Sequence, residues 1–135
     1  MNPILSVFPS LGAFLVGFYF AFFGVWNACH WQATRDFMVT KKIPFSSFLL
    51  GLGIGLQTVA GGLLMTGFYM QLAAMLLIPF NIVAVFIFHA FWEHEGEIRR
   101  LNMIIFIANL TGTLGALCLL LNAIEPALSW STFLN

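Results

Sequence analysis

The sequence predicts an all-α fold, an integral membrane four-helix bundle that forms a single membrane domain over residues 1–135. Hydrophobic residues make up 61% of the chain and charged residues only 7%, whereas a soluble domain carries about a quarter charged residues. A helix needs about 20 apolar residues to cross a bilayer, and four such stretches leave no room for a second, soluble domain. We therefore expect the lipid bilayer as a partner. The net charge of zero gives no indication of nucleic-acid binding, and no nucleic acid is expected.

The apolar stretches predict helices at about residues 11–31, 45–66, 69–92 and 101–122. Pro44 lies at the start of the second helix, where a missing N–H is tolerated. Gly67 and Phe68 leave space only for a tight turn, so the second and third helices should be antiparallel neighbours. Pro79 removes a backbone hydrogen bond inside the third helix and should kink it.

The basic residues predict an orientation. All five Lys and Arg residues lie in two links on the same side of the membrane, Arg35, Lys41 and Lys42 in the first link and Arg99 and Arg100 in the third. Cytoplasmic loops of membrane proteins are enriched in Lys and Arg, so this side should be cytoplasmic. Both termini are then expected to face the periplasm or the cell exterior.

Small residues predict where the helices touch. Lipid tails are as apolar as Leu, so membrane helices associate through close packing of small residues and through hydrogen bonds. Small residues recur at four-residue spacing in the first, second and fourth helices. We expect close helix packing at Gly55, Gly62 and Gly112, in one compact bundle.

Uncharged polar residues lie well inside the apolar stretches, namely Gln57 with Thr58, Asn81, and Asn109 with Thr113. One interpretation is that they form hydrogen bonds between helices, each worth about 0.6 kcal/mol. The other is a mid-membrane polar pocket for a quinone-like head group or a transported solute. The first is favoured because no ionisable residue lies at that depth.

Ionisable residues gather instead at the charged ends of the helices. His89 and Glu93 are one helical turn apart, so both can face the same partner, and His30 ends the first helix nearby. One hypothesis is a proton-handling site formed by these three residues, since imidazole and carboxylate groups exchange protons. The alternative is hydrogen bonding at the membrane boundary without a chemical role. No metal site is predicted, because no compact ligand motif of the zinc type is present.

Several motifs follow one another along the chain: FFGVWN, DFMVTKKIP, AGGLLMTGF, FHAFW, NMIIFIANL and GTLGALCLLL. With these motifs the chain resembles the DoxX-like family of small four-helix bacterial membrane proteins, over residues 17–121. The resemblance implies a multi-pass protein of the bacterial inner (cytoplasmic) membrane. Many relatives carry a Lys near the end of the first helix and another before the Asn of the fourth-helix motif. Ala28 and Ala108 stand at about those places here, so no role of those lysines is carried over.

The resemblance also implies a function class. The namesakes of the family look like membrane subunits of quinone-linked oxidoreductase complexes, including thiosulfate:quinone oxidoreductase. This chain is therefore expected to act as an anchor and to form part of a quinone pocket, beside other membrane or soluble redox subunits at the cytoplasmic face. No complete catalytic constellation is recognisable in the sequence, which favours a non-catalytic subunit over an independent enzyme. The alternative is a structural or assembly membrane protein, or a small transporter, without a redox role.

Overall fold

A computed structural model describes residues 3–122, apart from the side chains of Pro3 and Ser6. The described residues form α-helices in this order: α1 (Pro3–Cys29), α2 (Trp31–Thr40), α3 (Ser46–Thr66), α4 (Met70–Phe88), α5 (Gly96–Ile107) and α6 (Leu114–Leu120). Two shorter elements complete the chain, a 3-10 turn at Phe91–Glu93 and a π-helical segment at Ala108–Thr113 that joins α5 to α6.

Four helical stretches are long and apolar enough to cross a membrane. They are Val7–Cys29, Ser46–Thr66, Met70–Glu93 and Gly96–Leu120. The predicted all-α membrane bundle is therefore confirmed, with α5, the π-helical segment and α6 forming one continuous fourth span. The chain termini, which we predict to share one side, lie outside the described residues.

The link after the first span contains a helix that the search for apolar stretches missed. α2 is polar on average, but it has a buried residue, Met38, on its inner side. Its outer side includes a hydrogen bond one turn apart, from Gln32 Nε2 to Asp36 Oδ1 at 3.2 Å, which supports the helix. α2 is thus a short amphipathic helix at the charged end of the bundle.

The charged segment between the third and fourth spans is also more ordered than expected. α4 ends at Phe88, short of the predicted residue 92, and α5 begins at Gly96, ahead of the predicted residue 101. Glu97 lies in the first turn of α5, where a carboxylate interacts favourably with the helix dipole. Pro79 lies inside α4, which continues as an α-helix on both sides of it, and the kink stays a prediction.

The turn between α3 and α4 is as tight as the sequence predicts. Gly67 adopts a left-handed conformation with φ +80°, which a residue without a Cβ reaches at little cost. The N–H groups of Gly67 and Phe68 both donate to the carbonyl oxygen of Leu63, and so cap the end of α3. α3 and α4 therefore pack as neighbours.

The most extensive helix contact joins α1 and α3, and glycines permit it. A Cβ atom on Gly61 would lie 2.6 Å from the carbonyl oxygen of Gly17. A Cβ atom on Gly17 would in turn overlap the carbonyl oxygen of Gly61, and one on Gly24 would overlap the hydroxyl of Thr58. The two backbones can approach this closely only because these three positions have no side chain.

The prediction of close packing at Gly55, Gly62 and Gly112 is wrong within the described part of the chain. A Cβ atom on any of the three would meet nothing within 4 Å. The buried face of α3 instead follows the helical spacing of Gln57, Ala60, Gly61 and Leu64. Gly62 comes one residue later and is turned by about 100° away from that face, because an α-helix has about 3.6 residues per turn.

The bundle is closely packed at one end and open at the other. Its largest fully buried side chains belong mainly to the half remote from the charged links; they are Phe20, Leu64, Met70, Leu77 and Leu117. α4 packs on α3 and on α6, whereas α5 mainly contacts the stretches next to it in the chain, the Phe91–Glu93 turn and the π-helical segment that continues it. A cleft therefore remains between α1, α4 and α5 in the charged half.

Candidate ligand-binding cavity

The cleft forms a half-open cavity of about 810 Å³. Ligand sites in proteins usually measure about 300–1,000 Å³ and combine apolar walls with a few polar groups. The walls here are largely aromatic, with Phe23, Trp26, Phe80 and Phe88 among the lining residues. The cavity therefore has the size and the lining of a site for a flat, mainly apolar small molecule.

Five residues singled out in the sequence line this cavity. Gln57, Asn81 and Asn109 lie in its deeper part, and His30 and His89 lie towards the charged end of the bundle. Residues of both predicted sites thus line one continuous cavity. Two other predicted residues, Glu93 and Thr113, are not among the lining residues.

Asn109 connects three helices at the deep end of the cavity. Its side-chain oxygen accepts a hydrogen bond from the hydroxyl of Tyr19 in α1 at 2.7 Å. Its backbone carbonyl accepts one from Asn81 Nδ2 in α4 at 3.0 Å, and its own Nδ2 donates to the carbonyl of Ile105 at 2.9 Å. Hydrogen bonds between helices, as the packing interpretation predicts, are therefore present for Asn81 and Asn109.

The π-helical segment explains how the backbone carbonyl of Asn109 can accept a hydrogen bond from Asn81 in α4. The N–H of Leu114 donates to this carbonyl across five residues, one more than in an α-helix. The wider turn exposes the carbonyl oxygen to a second donor, which is Asn81 Nδ2. Such single π-turns within α-helices occur frequently at functional sites.

Two amide side chains in the deep part each use only one of their two polar atoms. Gln57 accepts a hydrogen bond from Asn27 Nδ2 at 3.4 Å through its Oε1, which leaves its Nε2 as a donor. Asn81 uses its Nδ2, which leaves its Oδ1 as an acceptor. Neither Gln57 Nε2 nor Asn81 Oδ1 has a hydrogen-bond partner among residues 3–122.

His89 lies where α4 ends, and a neighbour from α5 holds its ring. His89 is the C-terminal cap of α4, with its backbone N–H bonded to the carbonyl of Val85. Its Nδ1 lies 3.0 Å from Asn102 Oδ1, and Asn102 Nδ2 donates to the carbonyl of Ile98 at 3.0 Å. The half-buried imidazole is therefore fixed between the cavity and α5.

His30 lies at the junction of α1 and α2. Its ring stacks on Trp26 with 4.2 Å between centroids and 20° between planes, and its Nδ1 lies 2.9 Å from the Trp26 carbonyl oxygen. Both imidazoles thus line the shallow part of the cavity in fixed orientations. Throughout residues 3–122, no three His, Cys, Asp or Glu side chains cluster closely enough to hold a metal ion.

α2 borders the shallow part of the cavity and is attached to the end of α4. Phe37 of α2 stacks on Phe88 of α4, with 5.5 Å between centroids and 18° between planes. The ammonium group of Lys41 pairs with the Glu93 carboxylate and also lies over the Phe37 ring, 5.5 Å from its centroid. Glu93 therefore helps to position the helix that borders the cavity.

Sequence reasoning missed several cavity residues, all on one face of α1. They are Tyr19, Phe23, Trp26 and Asn27, which lie in an aromatic run typical of lipid-facing sequence. A signal was available, because these positions and His30 follow the spacing i, i+4, i+7, i+8 and i+11. It also missed Asn102, because the contact of Asn102 with the ring of His89 forms only in the folded protein.

The four spans and the cavity define a class, namely a small multi-pass α-helical membrane protein with a ligand-sized cavity towards its charged end. Within that class, the sequence profile of the DoxX family matches residues 10–90. The chain belongs to the DoxX family, as its motifs predict. The match runs from residue 10, within α1, to just past the end of α4, and the fourth span lies beyond it. No curated protein and no solved structure matches the chain.

Proposed function

We propose that this chain is the membrane subunit of a quinone-linked oxidoreductase complex and that a quinone head group binds in the cavity. The observation that carries the proposal is the continuity of the cavity from mid-membrane amides to two imidazoles at the charged end. A quinone ring needs apolar walls along its faces and polar partners for its two oxygens. The namesakes of the family look like membrane subunits of quinone-linked complexes, and this resemblance supports the same function class for this chain.

The lining suits such a ring in three ways. Aromatic side chains such as Phe23 and Phe88 offer stacking partners for a flat ring. Gln57 Nε2 offers a hydrogen bond to a ring oxygen at the deep end. His30 and His89 at the shallow end are suited to exchange protons with the ring and with water. The gap between α1 and α5 gives an isoprenoid tail a route into the lipid.

The charged end is the proposed contact surface for a redox partner. It includes all five Lys and Arg residues of the chain, together with Asp36 and the three Glu residues of the segment 93–97. By the enrichment of basic residues in cytoplasmic loops, this end faces the cytoplasm and both termini face the periplasm of a bacterial inner membrane. Electrons come from the partner, while this chain anchors the complex and binds the quinone.

Quinone retention tests this proposal. The full chain is purified from bacterial membranes into lipid nanodiscs, and its lipids are extracted and analysed for quinone by mass spectrometry. We expect close to one quinone per chain, counting its oxidised and reduced forms together, and clearly less in His89→Ala. His94→Ala is the matched control, because His94 is not among the lining residues. Retention no higher than that of an unrelated four-helix membrane protein would contradict the proposal and favour the assembly or transporter alternative.

Activity provides a second readout of the same proposal. In membranes with matched expression, His89→Ala should lower the quinone-linked activity of the complex that contains this chain. Glu93→Gln should cause a smaller loss, because Glu93 lies outside the lining and acts on α2 through Lys41. Full activity of the His89 variant would contradict a role of this imidazole in proton exchange.

A further inference from the structure

The side chain of Asn102 determines which nitrogen of His89 carries the hydrogen. Asn102 Nδ2 donates to the carbonyl of Ile98 at 3.0 Å, and a carbonyl can only accept, so Asn102 Oδ1 must face the ring. This oxygen lies 3.0 Å from His89 Nδ1. An amide oxygen has no hydrogen to give, so Nδ1 of the neutral imidazole is the donor. Nε2 then keeps its lone pair and can only accept a hydrogen bond.

The accepting nitrogen belongs to the edge of the ring that is turned away from Asn102. His89 lines the cavity, whereas Asn102 does not. The Nδ1 edge of the ring therefore faces α5, and the Nε2 edge is the one available to a ligand. His89 Nε2 has no hydrogen-bond partner within the described part of the chain.

His30 has the same tautomer for an independent reason. Its Nδ1 lies 2.9 Å from the backbone carbonyl oxygen of Trp26, which accepts and cannot donate. Nδ1 of His30 is therefore also the donor, and Nε2 is again the acceptor. In their neutral forms, both imidazoles that line the shallow part of the cavity offer acceptors to a ligand.

We infer that the cavity selects the reduced, hydroxyl-bearing form of the head group, a quinol, and that Asn102 is the positioning residue that sets this preference. The inference rests on the proposed function. A quinol oxygen carries a hydrogen that Nε2 can accept, whereas a quinone carbonyl would place two acceptors face to face and leave both unpaired. A hydroxyl at the deep end can also donate to Asn81 Oδ1 and accept from Gln57 Nε2.

Binding of one redox pair measures the preference. Decylubiquinol, kept under argon, and decylubiquinone are partitioned between nanodiscs with the full chain and empty nanodiscs, at an alkaline pH that keeps imidazoles neutral. One hydrogen bond between neutral groups contributes about 0.5–1.5 kcal/mol, so the quinol should bind roughly 2- to 10-fold more tightly. Equal affinities, or tighter binding of decylubiquinone, would overturn the inference.

Variants of Asn102 test whether this residue sets the preference. Asn102→Leu has a similar size but no acceptor for Nδ1–H, so the preference should fall to near one. Asn102→Asp keeps an oxygen towards Nδ1 and should keep the preference. Asn122→Leu, at the far end of the fourth span, is the matched control and should behave like the wild type. An unchanged preference in Asn102→Leu would overturn the role of Asn102.

The tautomer itself can be observed without a ligand. Nitrogen-15 NMR of the histidine-labelled wild-type chain should show His89 protonated at Nδ1, with the resonance assigned by its loss in His89→Ala. Protonation at Nε2 would overturn the inference even if Asn102→Leu fails to fold. Binding of neither ubiquinone form would overturn the proposed function as well, whereas equal binding of both would overturn only the quinol preference.

Discussion

Gly17 of α1 and Gly61 of α3 lie back to back, and the carbonyl oxygen of each is too close to leave room for a Cβ atom on the other. This contact holds α1 and α3 so close together that a side chain at either glycine would push the two helices apart. The opposite side of α1 includes Tyr19 and Trp26, which line the cavity. The glycine pair therefore positions one wall of the cavity without lining it.

The glycine contact predicts opposite effects of alanine at two adjacent positions. Gly61→Ala should destabilise the bundle by about 1–3 kcal/mol, the usual cost of overpacking, because its Cβ would lie 2.6 Å from a backbone oxygen. Gly62→Ala meets open space and should leave the melting temperature unchanged or raise it, since Ala has the higher helix propensity. Thermal unfolding in detergent, followed by circular dichroism, measures both. Equal melting temperatures would contradict the contact face assigned to α3.

The hydrogen bond between Tyr19 and Asn109 predicts a measurable loss on removal of one oxygen. Tyr19→Phe keeps the ring but removes the donor to Asn109, and should lower stability by roughly 0.6 kcal/mol, the average for such bonds in membranes. Tyr69→Phe is the control, because the exposed Tyr69 lies in the turn before α4. Reversible unfolding in mixed micelles measures the difference. The same loss in both variants would argue against a specific bond to Asn109.

The ion pair that attaches α2 to the end of α4 predicts a small coupling energy that depends on salt. A double-mutant cycle of Lys41→Ala and Glu93→Ala should give about 0.2–1 kcal/mol, as for other partly exposed pairs. The coupling should fall as salt is added, because mobile ions screen exposed charges. The control cycle uses Arg100 and Glu97, which lie 3.8 Å apart with side chains 70% and 89% exposed, and should give a value near zero. Equal coupling in the two cycles would mean that Lys41 and Glu93 do not fix α2.

Cysteine labelling tests the orientation on which the partner surface depends. Lys42→Cys lies at the charged end and Asn122→Cys at the opposite end, in a background with Ser in place of the free thiols of Cys29 and Cys118. A membrane-impermeant maleimide added to intact spheroplasts should label position 122 and reach position 42 only after permeabilisation. The reverse pattern would place the charged end outside the cytoplasm.

Hydropathy was sufficient to predict the spans but not the short helix between the first two. Four apolar runs predict four spans, because length and composition alone decide whether a helix can cross a bilayer. α2 has a polar composition and only one buried residue, Met38, so it gives no apolar signal. The contact face of α3 was predicted one residue away, because Gly62 has the small residues Thr58 and Thr66 four positions away, whereas Gly61 has the larger Gln57 and Met65.

The cavity could be predicted only in parts. The mid-membrane amides and the boundary imidazoles can each be recognised in the sequence. They line one cavity only because a gap lies between α1 and α5. That gap arises because α1 packs extensively on α3 but not on α5 within residues 3–122. No sequence pattern indicates that Asn109 lies in a π-turn, or that Asn102 faces the ring of His89.

Photolabelling of the cavity tests quinone binding most directly. A photoreactive azidoquinone is added to nanodiscs that contain the full chain, and labelled peptides are identified by mass spectrometry after illumination. Labels should lie on the α1 face that includes Phe23 and Trp26 and on the cavity side of α5 around Ile104 and Ile105, and excess unlabelled quinone should remove them. Labels spread over lipid-facing residues such as Phe48 and Val59, which are 70% and 64% exposed, and insensitive to competition, would contradict a quinone site in this cavity.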